Sequence, residues 1–297
     1  MKRRNLLSYT LLFLAGCVAV RDGSGRERTS SITGKPEVLK FAVTDVTGLE
    51  QLQQDYGTFR EALAEVLEIE VELFPVESFV AAAPAMLSNQ LDIAFAGPSE
   101  YLLLNARARA VPIVAVTRPT YYPVVVVRRN SDIKSLTDLK GKNVAMQNPG
   151  ATAGHIYASK FFLDIGLDPR SDIRVKMLKN EGLNALLNGD VDAWMTSTNT
   201  YSRWVREAGL SEDDVPILMK GESLPNDLFV ANVNLDPEFI EEMRERMLEH
   251  QKQLLQALLA SPVNDKYSDS EFASVSDSDY DELRELYKAL GQEALIQ

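Results

Sequence analysis

Cysteine is almost absent from this chain: Cys17 is the only one in 297 residues, and histidine occurs twice, at His155 and His250. A single thiol closes no intramolecular disulfide, so the fold must rest on its apolar core; a chain of this length can bury one or two good ones. Two separated histidines and one N-terminal cysteine form no metal-ligand cluster, and neither a metal nor any other cofactor is expected. Positive charge is scarce as well. Lys and Arg number 31 against 43 Asp and Glu, a net charge of −12. That balance argues against a nucleic-acid partner, which needs a basic footprint. It leaves room for an anionic ligand held at a locally positive site. Catalytic signatures are missing: there is no Gly-x-Ser-x-Gly and no Gly-x-x-x-x-Gly-Lys-Ser/Thr, so no enzyme is expected. Long apolar runs are missing too. The run over residues 6–15 covers about ten residues, too few to span a bilayer as a mature helix, and no other segment reaches that length.

What the N-terminus does have is order. Lys2, Arg3 and Arg4 precede the apolar run, and Leu14-Ala15-Gly16 precede Cys17. A basic start, a short apolar core and small residues before a cut form a secretory signal over residues 1–16. The Leu-Ala-Gly-Cys segment resembles the lipobox of bacterial lipoproteins, which implies lipid on Cys17 and attachment of an extracytoplasmic protein to a membrane. The alternative is an ordinary cleaved signal with a lone cysteine. Loss of three cations with the signal leaves the mature chain at −15. Residues 17–36 are charged, rich in Gly and Ser and without apolar period, and read as a flexible tether.

From Val38 onward short apolar runs alternate with helical patterns. Strands are expected over 38–43, 69–74, 91–96 and 113–116. Helices are expected over 49–67, over 78–87 with a bend at Pro84, and over 100–107 with Ser99 as cap. A second series follows the Val-rich run 124–129: strands over 143–146, 173–177, 191–195 and 215–219, and helices over 152–165, over 181–187 and through Val205. A strand over 229–233 returns to the first unit. Asp236-Pro237 opens a helix over 238–259, and 277–290 is acidic and helical. This alternation predicts an α/β fold with mainly parallel sheets. Two extended crossings would divide it into one lobe of residues 37–125 plus 228–297 and a second of residues 126–227. A cleft between lobes favours a ligand, and hinge closure is the expected motion. Trp194 and Trp204 are expected to pack inside the second lobe, and Asp190 and Asp192 to mark a turn and a strand end.

Four stretches carry a family resemblance in order. They are Asn89-Gln90-Leu91-Asp92-Ile93-Ala94-Phe95-Ala96-Gly97-Pro98 with Tyr101, then Tyr121 with residues 124–129 and the segment 131–145 containing Leu139-Lys140-Gly141-Lys142. Asn148-Pro149-Gly150-Ala151-Thr152-Ala153-Gly154 and Leu186-Leu187-Asn188-Gly189-Asp190-Val191-Asp192-Ala193 complete the set. Together they resemble the solute-binding proteins of phosphate, phosphite and phosphonate ABC transporters, over about residues 38–250. The resemblance implies the type II periplasmic-binding-protein fold. It also implies a small phosphorus oxyanion as ligand, a permease and ATPase as partners, and a monomer in the periplasm.

The turn at 149–154 leads into a helix, whose first N–H groups and positive dipole end suit an oxyanion. The family has Ser-Thr-Ser-Gly where this chain has Ala151, Thr152, Ala153 and Gly154, so one hydroxyl of three remains; an ordinary capped helix is the alternative. By the same resemblance Tyr121 meets the oxyanion, Phe79 stands where the family often has a tyrosine, and Lys179 stands where it has a histidine, with Asn180 as the neighbouring choice. Asp227 matches a family acid at the second crossing, and Asn199 replaces the acid that would complete an amine site. That replacement disfavours a zwitterionic aminophosphonate. Thr44 and Asp45, at the carboxyl end of the first strand, are further candidates, and His155 is expected to face solvent. The function implied is capture of a phosphonate, phosphite or related oxyanion for an importer. A ligand-binding sensor subunit of a membrane kinase, a binding protein for a different solute, and an enzyme on the same fold are the alternatives. The lipobox argues against the enzyme.

Overall fold

The computed structural model describes residues 35–78 and 81–296; the signal segment, Cys17, most of the tether and Phe79 lie outside the described residues. Val38–Val43 (β1), Glu70–Leu73 (β2), Ile93–Ala96 (β3) and Val111–Val116 (β4) belong to one sheet. Pro123–Val127 (β5), Asn143–Met146 (β6), Arg174–Met177 (β7), Ala193–Ser197 (β8) and Ile217–Lys220 (β9) form a second. Asp227–Ala231 (β10) and Phe272–Ala273 (β11) return to the first. The orders are β11-β4-β10-β3-β1-β2 and β7-β6-β8-β5-β9.

The expectation of mainly parallel sheets holds for β1–β4 and for β6–β9, which run together within their sheets, but not for every strand. β1 lies parallel to β2 and β3, and β6 parallel to β7 and β8. The strands that follow each crossing run the other way: β5 is antiparallel to β8 and β9, and β10 to β3 and β4. A chain that leaves one sheet and enters the other without an intervening helix arrives reversed, and no right-handed crossover is needed to return it.

Helices cover both sheets: Leu49–Leu67 (α1), Ala82–Leu87 (α2), Pro98–Ala108 (α3), Ala158–Asp164 (α4), Gly182–Asn188 (α5), Thr198–Glu207 (α6), Pro237–Glu249 (α7), Gln251–Leu258 (α8) and Asp281–Ala289 (α9). The helix expected over 238–259 is two. His250, at φ −98° and ψ 21°, ends α7 and opens α8, and the bend keeps Met243, Met247, Leu254 and Leu258 on one core. Asp236 caps α7 as expected, accepting the Glu238 N–H at 2.8 Å. Ser99 does not cap α3. Gly97 holds that position with Pro98 next, and Ser99 turns elsewhere.

Phe229 on β10 anchors the first lobe. Its ring stacks on Phe95 at 4.4 Å, Phe59 at 5.4 Å and Phe272 at 5.9 Å, all buried. Burying one such side chain contributes about 2–3 kcal/mol. In the second lobe Trp194 stacks on Trp204 at 5.4 Å and presses on Gly182, where any Cβ would strike the indole. A third core joins the lobes. Ala153, Ile156 and Tyr157 pack with Tyr101, Leu102, Tyr287 and Leu290, so α9 braces the start of the Thr152 helix against the first lobe.

Candidate functional site

Between β4 and β5 the chain crosses from the first sheet to the second, and between β9 and β10 it crosses back. The crossings touch: the Leu224 N–H donates to the Tyr121 carbonyl at 2.9 Å, and the Arg118 N–H to Asn226 Oδ1 at 3.0 Å. Beside them opens a cleft of about 860 Å³ between the lobes. The N-terminal ends of three helical segments, at Pro98, Thr152 and Thr198, reach its wall, each presenting N–H groups without intrahelical partners.

The Thr152 segment opens as one π-helical turn, Thr152–Tyr157, before continuing as α4. The Thr152 hydroxyl is buried, donates to Ser99 Oγ at 2.9 Å and accepts the Ser99 N–H at 3.2 Å. It therefore joins the two lobes at the edge of the cleft. Ala151 and Ala153 also line the cleft; Gly154 sits behind them, where a Cβ would collide with Gln147. His155 does not face solvent. It is buried, and its Nδ1 accepts the Gly150 N–H at 2.9 Å, closing the turn from behind. Burial pushes this imidazole below its ordinary pKa, which suits a neutral acceptor.

Sequence reasoning missed the principal residue of the cleft. Arg118 lies on the first crossing with its side chain only 6% exposed. Its Nη1 contacts Asp227 Oδ2 at 3.1 Å and Oδ1 at 3.3 Å, and its Nη2 donates to Asn199 Oδ1 at 3.0 Å. Its guanidinium carbon rests 3.4 Å from the centre of the Tyr121 ring. Burial opposes the charge on Arg118, and the Asp227 carboxylate outweighs it. The Tyr267 hydroxyl donates to Asp227 Oδ2 at 2.6 Å; burial pushes its pKa far up, so it remains a donor. Asn199 is held at both ends, its Nδ2 donating to Thr120 Oγ1 at 3.2 Å.

Glu100, the third residue of α3, is the second group that the sequence did not mark. It is half-buried beside Gly97 and Asp227, and burial pushes its carboxyl up to about 7. Lys179 lines the cleft mouth as an exposed side chain on a residue with φ 49°, and Asn180 lines it too. Asp45 reaches the mouth 3.6 Å from Lys266 Nζ, while Thr44 is buried behind it. The cleft thus gathers Tyr121, Ala151, Thr152, Ala153, Lys179, Asn199 and Asp227 on its walls. Among the described residues no group of three or more His, Cys, Asp or Glu could hold a metal ion.

This geometry agrees with the sequence relationship. The family defined as the periplasmic substrate-binding protein of phosphonate ABC transporters matches residues 41–280. The chain belongs to this family. Among its relatives, the phosphate-import protein PhnD of Mycolicibacterium smegmatis is 24% identical over 251 residues, 77% of this chain and 78% of that protein. Solved structures share the type II binding-protein fold. PhnD1 of Prochlorococcus marinus, in complex with methylphosphonate, has a TM-score of 0.69 at 16% identity over 87% of this chain and 100% of its own. XAC2383 of Xanthomonas citri, bound to ATP, has a TM-score of 0.72 at 17% identity over 87% and 98%.

Proposed function

We propose that this family member is the extracytoplasmic, lipid-anchored binding protein of an ABC importer, and that it captures phosphite or a small alkylphosphonate in the cleft. The observation that carries the reading is that two kinds of donor line one cleft. The first N–H groups of the Thr152 helix and the charged, buried Arg118 guanidinium belong to residues that line the same cleft. Such donors suit a compact tetrahedral anion that exchanges its water shell for fixed N–H groups. Lys179 adds charge at the mouth, where it can steer an anion inward. The ligand is released unchanged to the permease.

Calorimetry against phosphite, methylphosphonate, phosphate and 2-aminoethylphosphonate tests the ligand class. Phosphite or methylphosphonate is expected to bind tightest. No heat with any of the four, or a preference for 2-aminoethylphosphonate, would refute the reading. The anchor has its own test. Cys17→Ser should move the protein from the membrane fraction to the soluble fraction with its melting temperature unchanged. A variant that still pellets with membranes shows that Cys17 carries no anchor.

A further inference from the structure

The cleft contains an unusual neutral assembly. Asp227, 5% exposed, spends both carboxylate oxygens on Arg118 and a third contact on the Tyr267 hydroxyl. Arg118 in turn is buried, yet its Nε has no hydrogen-bond partner. A buried N–H without a partner is uncommon, because leaving it unmade costs the full desolvation of the group. The guanidinium is thus only partly satisfied by the protein, while both oxygens of the carboxylate beside it are engaged.

We infer that Arg118 is a built-in counter-cation: it fills the place at Asp227 that a ligand's positive group would take, and so restricts the cleft to oxyanions that carry no ammonium. The inference rests on the oxyanion reading above. Three contacts support it. Both Asp227 oxygens are already engaged, Oδ1 by Nη1 and Oδ2 by Nη1 and the Tyr267 hydroxyl. Asn199, the neighbouring acceptor, gives its oxygen to the same guanidinium and its amide nitrogen to Thr120. The aromatic face of Tyr121, which could otherwise receive a ligand cation, is covered by the guanidinium at 3.4 Å. An arriving ammonium would meet a fixed positive charge with its three acceptors occupied. An oxyanion would meet the guanidinium's charge as an attraction.

The arrangement also explains why the pair is an arginine. A planar guanidinium can lie on Tyr121 while reaching Asp227 with one nitrogen and Asn199 with another. Lysine has a single nitrogen and cannot make that set of contacts. The residues that set this selectivity sit on the first crossing, at the start of β10 where the second crossing ends, and on α6, which ties ligand choice to the hinge.

Isothermal calorimetry with methylphosphonate and 2-aminoethylphosphonate on wild type, Arg118→Ala and Arg118→Ala/Asp227→Asn tests the inference. The ratio of the two affinities should shift by at least tenfold toward 2-aminoethylphosphonate in Arg118→Ala. It should return to within threefold of wild type when Asp227 is also neutralised. Arg118→Gln answers the same question with more of the packing on Tyr121 retained, should the alanine variant not fold. A second arm needs no phosphonate. Millimolar methylguanidinium should raise the melting temperature of Arg118→Ala by several degrees more than that of wild type. A ratio within threefold of wild type in the Arg118 variants overturns the inference. If no variant binds any phosphonate, the oxyanion reading has failed, and the methylguanidinium arm decides alone: no selective rise overturns the counter-cation.

Discussion

Asp227→Asn should lower the unfolding free energy by about 2–4 kcal/mol, the largest loss expected from any single change in the cleft. The reason is asymmetry. Arg118 and Asp227 are 6% and 7% exposed in their side chains, so neither charge regains water when its partner is removed. Asparagine keeps one oxygen for Nη1 or for Tyr267 but carries no charge, and the guanidinium is left buried with Asn199 and the Tyr121 ring for company. Removing both charges should be far milder. Arg118→Met/Asp227→Leu replaces the pair with apolar groups of similar bulk and should recover most of the loss, because a buried ion pair contributes little net stability against well-packed hydrophobic residues. Urea unfolding of the two single variants and the double variant measures this directly, with an unchanged slope confirming that only stability has moved. A loss below about 1 kcal/mol for Asp227→Asn would mean that water reaches and screens the pair.

The parts of this molecule that the sequence made legible are those written locally. The turn before Thr152 is punctuated by Asn148, Pro149 and Gly150, and Gly150 has φ +86°, a conformation that favours glycine. The cap at Asp236, the helix over 49–67 and the strands at 38–43 and 143–146 stand where periodicity placed them. Arg118 was illegible for the opposite reason. Its carboxylate partner is 109 positions away in the chain, and nothing local in Thr117-Arg118-Pro119 distinguishes a buried guanidinium from a surface one. Glu100 reads in sequence as an acid in the first turn of a helix, a place where acids are ordinary. Only the fold brings Asp227 beside it. His155 was misjudged because helical position alone sets its direction in sequence, whereas the π-helical turn rotates it back onto Gly150. Strand direction after each crossing depends on how the two sheets face one another, and no residue pattern encodes that.

Glu100 gives the second large expectation, and its sign can be worked out. The folded carboxyl titrates at about 7 instead of 4.5, chiefly because burial penalises its charge; Asp45 and Asp227 add to the shift, and its own backbone N–H and Lys266 oppose it. Arg118, Tyr121 and Tyr267 complete the ring of polar groups on that wall. Between pH 4.5 and 7 the folded protein therefore holds a proton that the unfolded chain has released. Stability from this group is complete below the lower value and is lost as the pH rises through the upper one. One pKa unit corresponds to about 1.4 kcal/mol, and the only partly buried position of Glu100 lets water screen part of it, so about 1–2 kcal/mol should be lost by pH 8. Glu100→Gln cannot ionise and still offers an oxygen to the helix N–H groups. Its melting temperature should match wild type near pH 4.5 and exceed it by several degrees at pH 8. An anion bound in the cleft would raise the carboxyl further. Ligand binding at pH 7.5 should then take up a larger fraction of a proton in wild type than in Glu100→Gln, a difference that calorimetry in buffers of differing ionisation heat reads out. Parallel melting curves for the two proteins from pH 4.5 to 8 would show that Glu100 titrates alike in the folded and unfolded chain, and that the cleft wall is wetter than its packing implies.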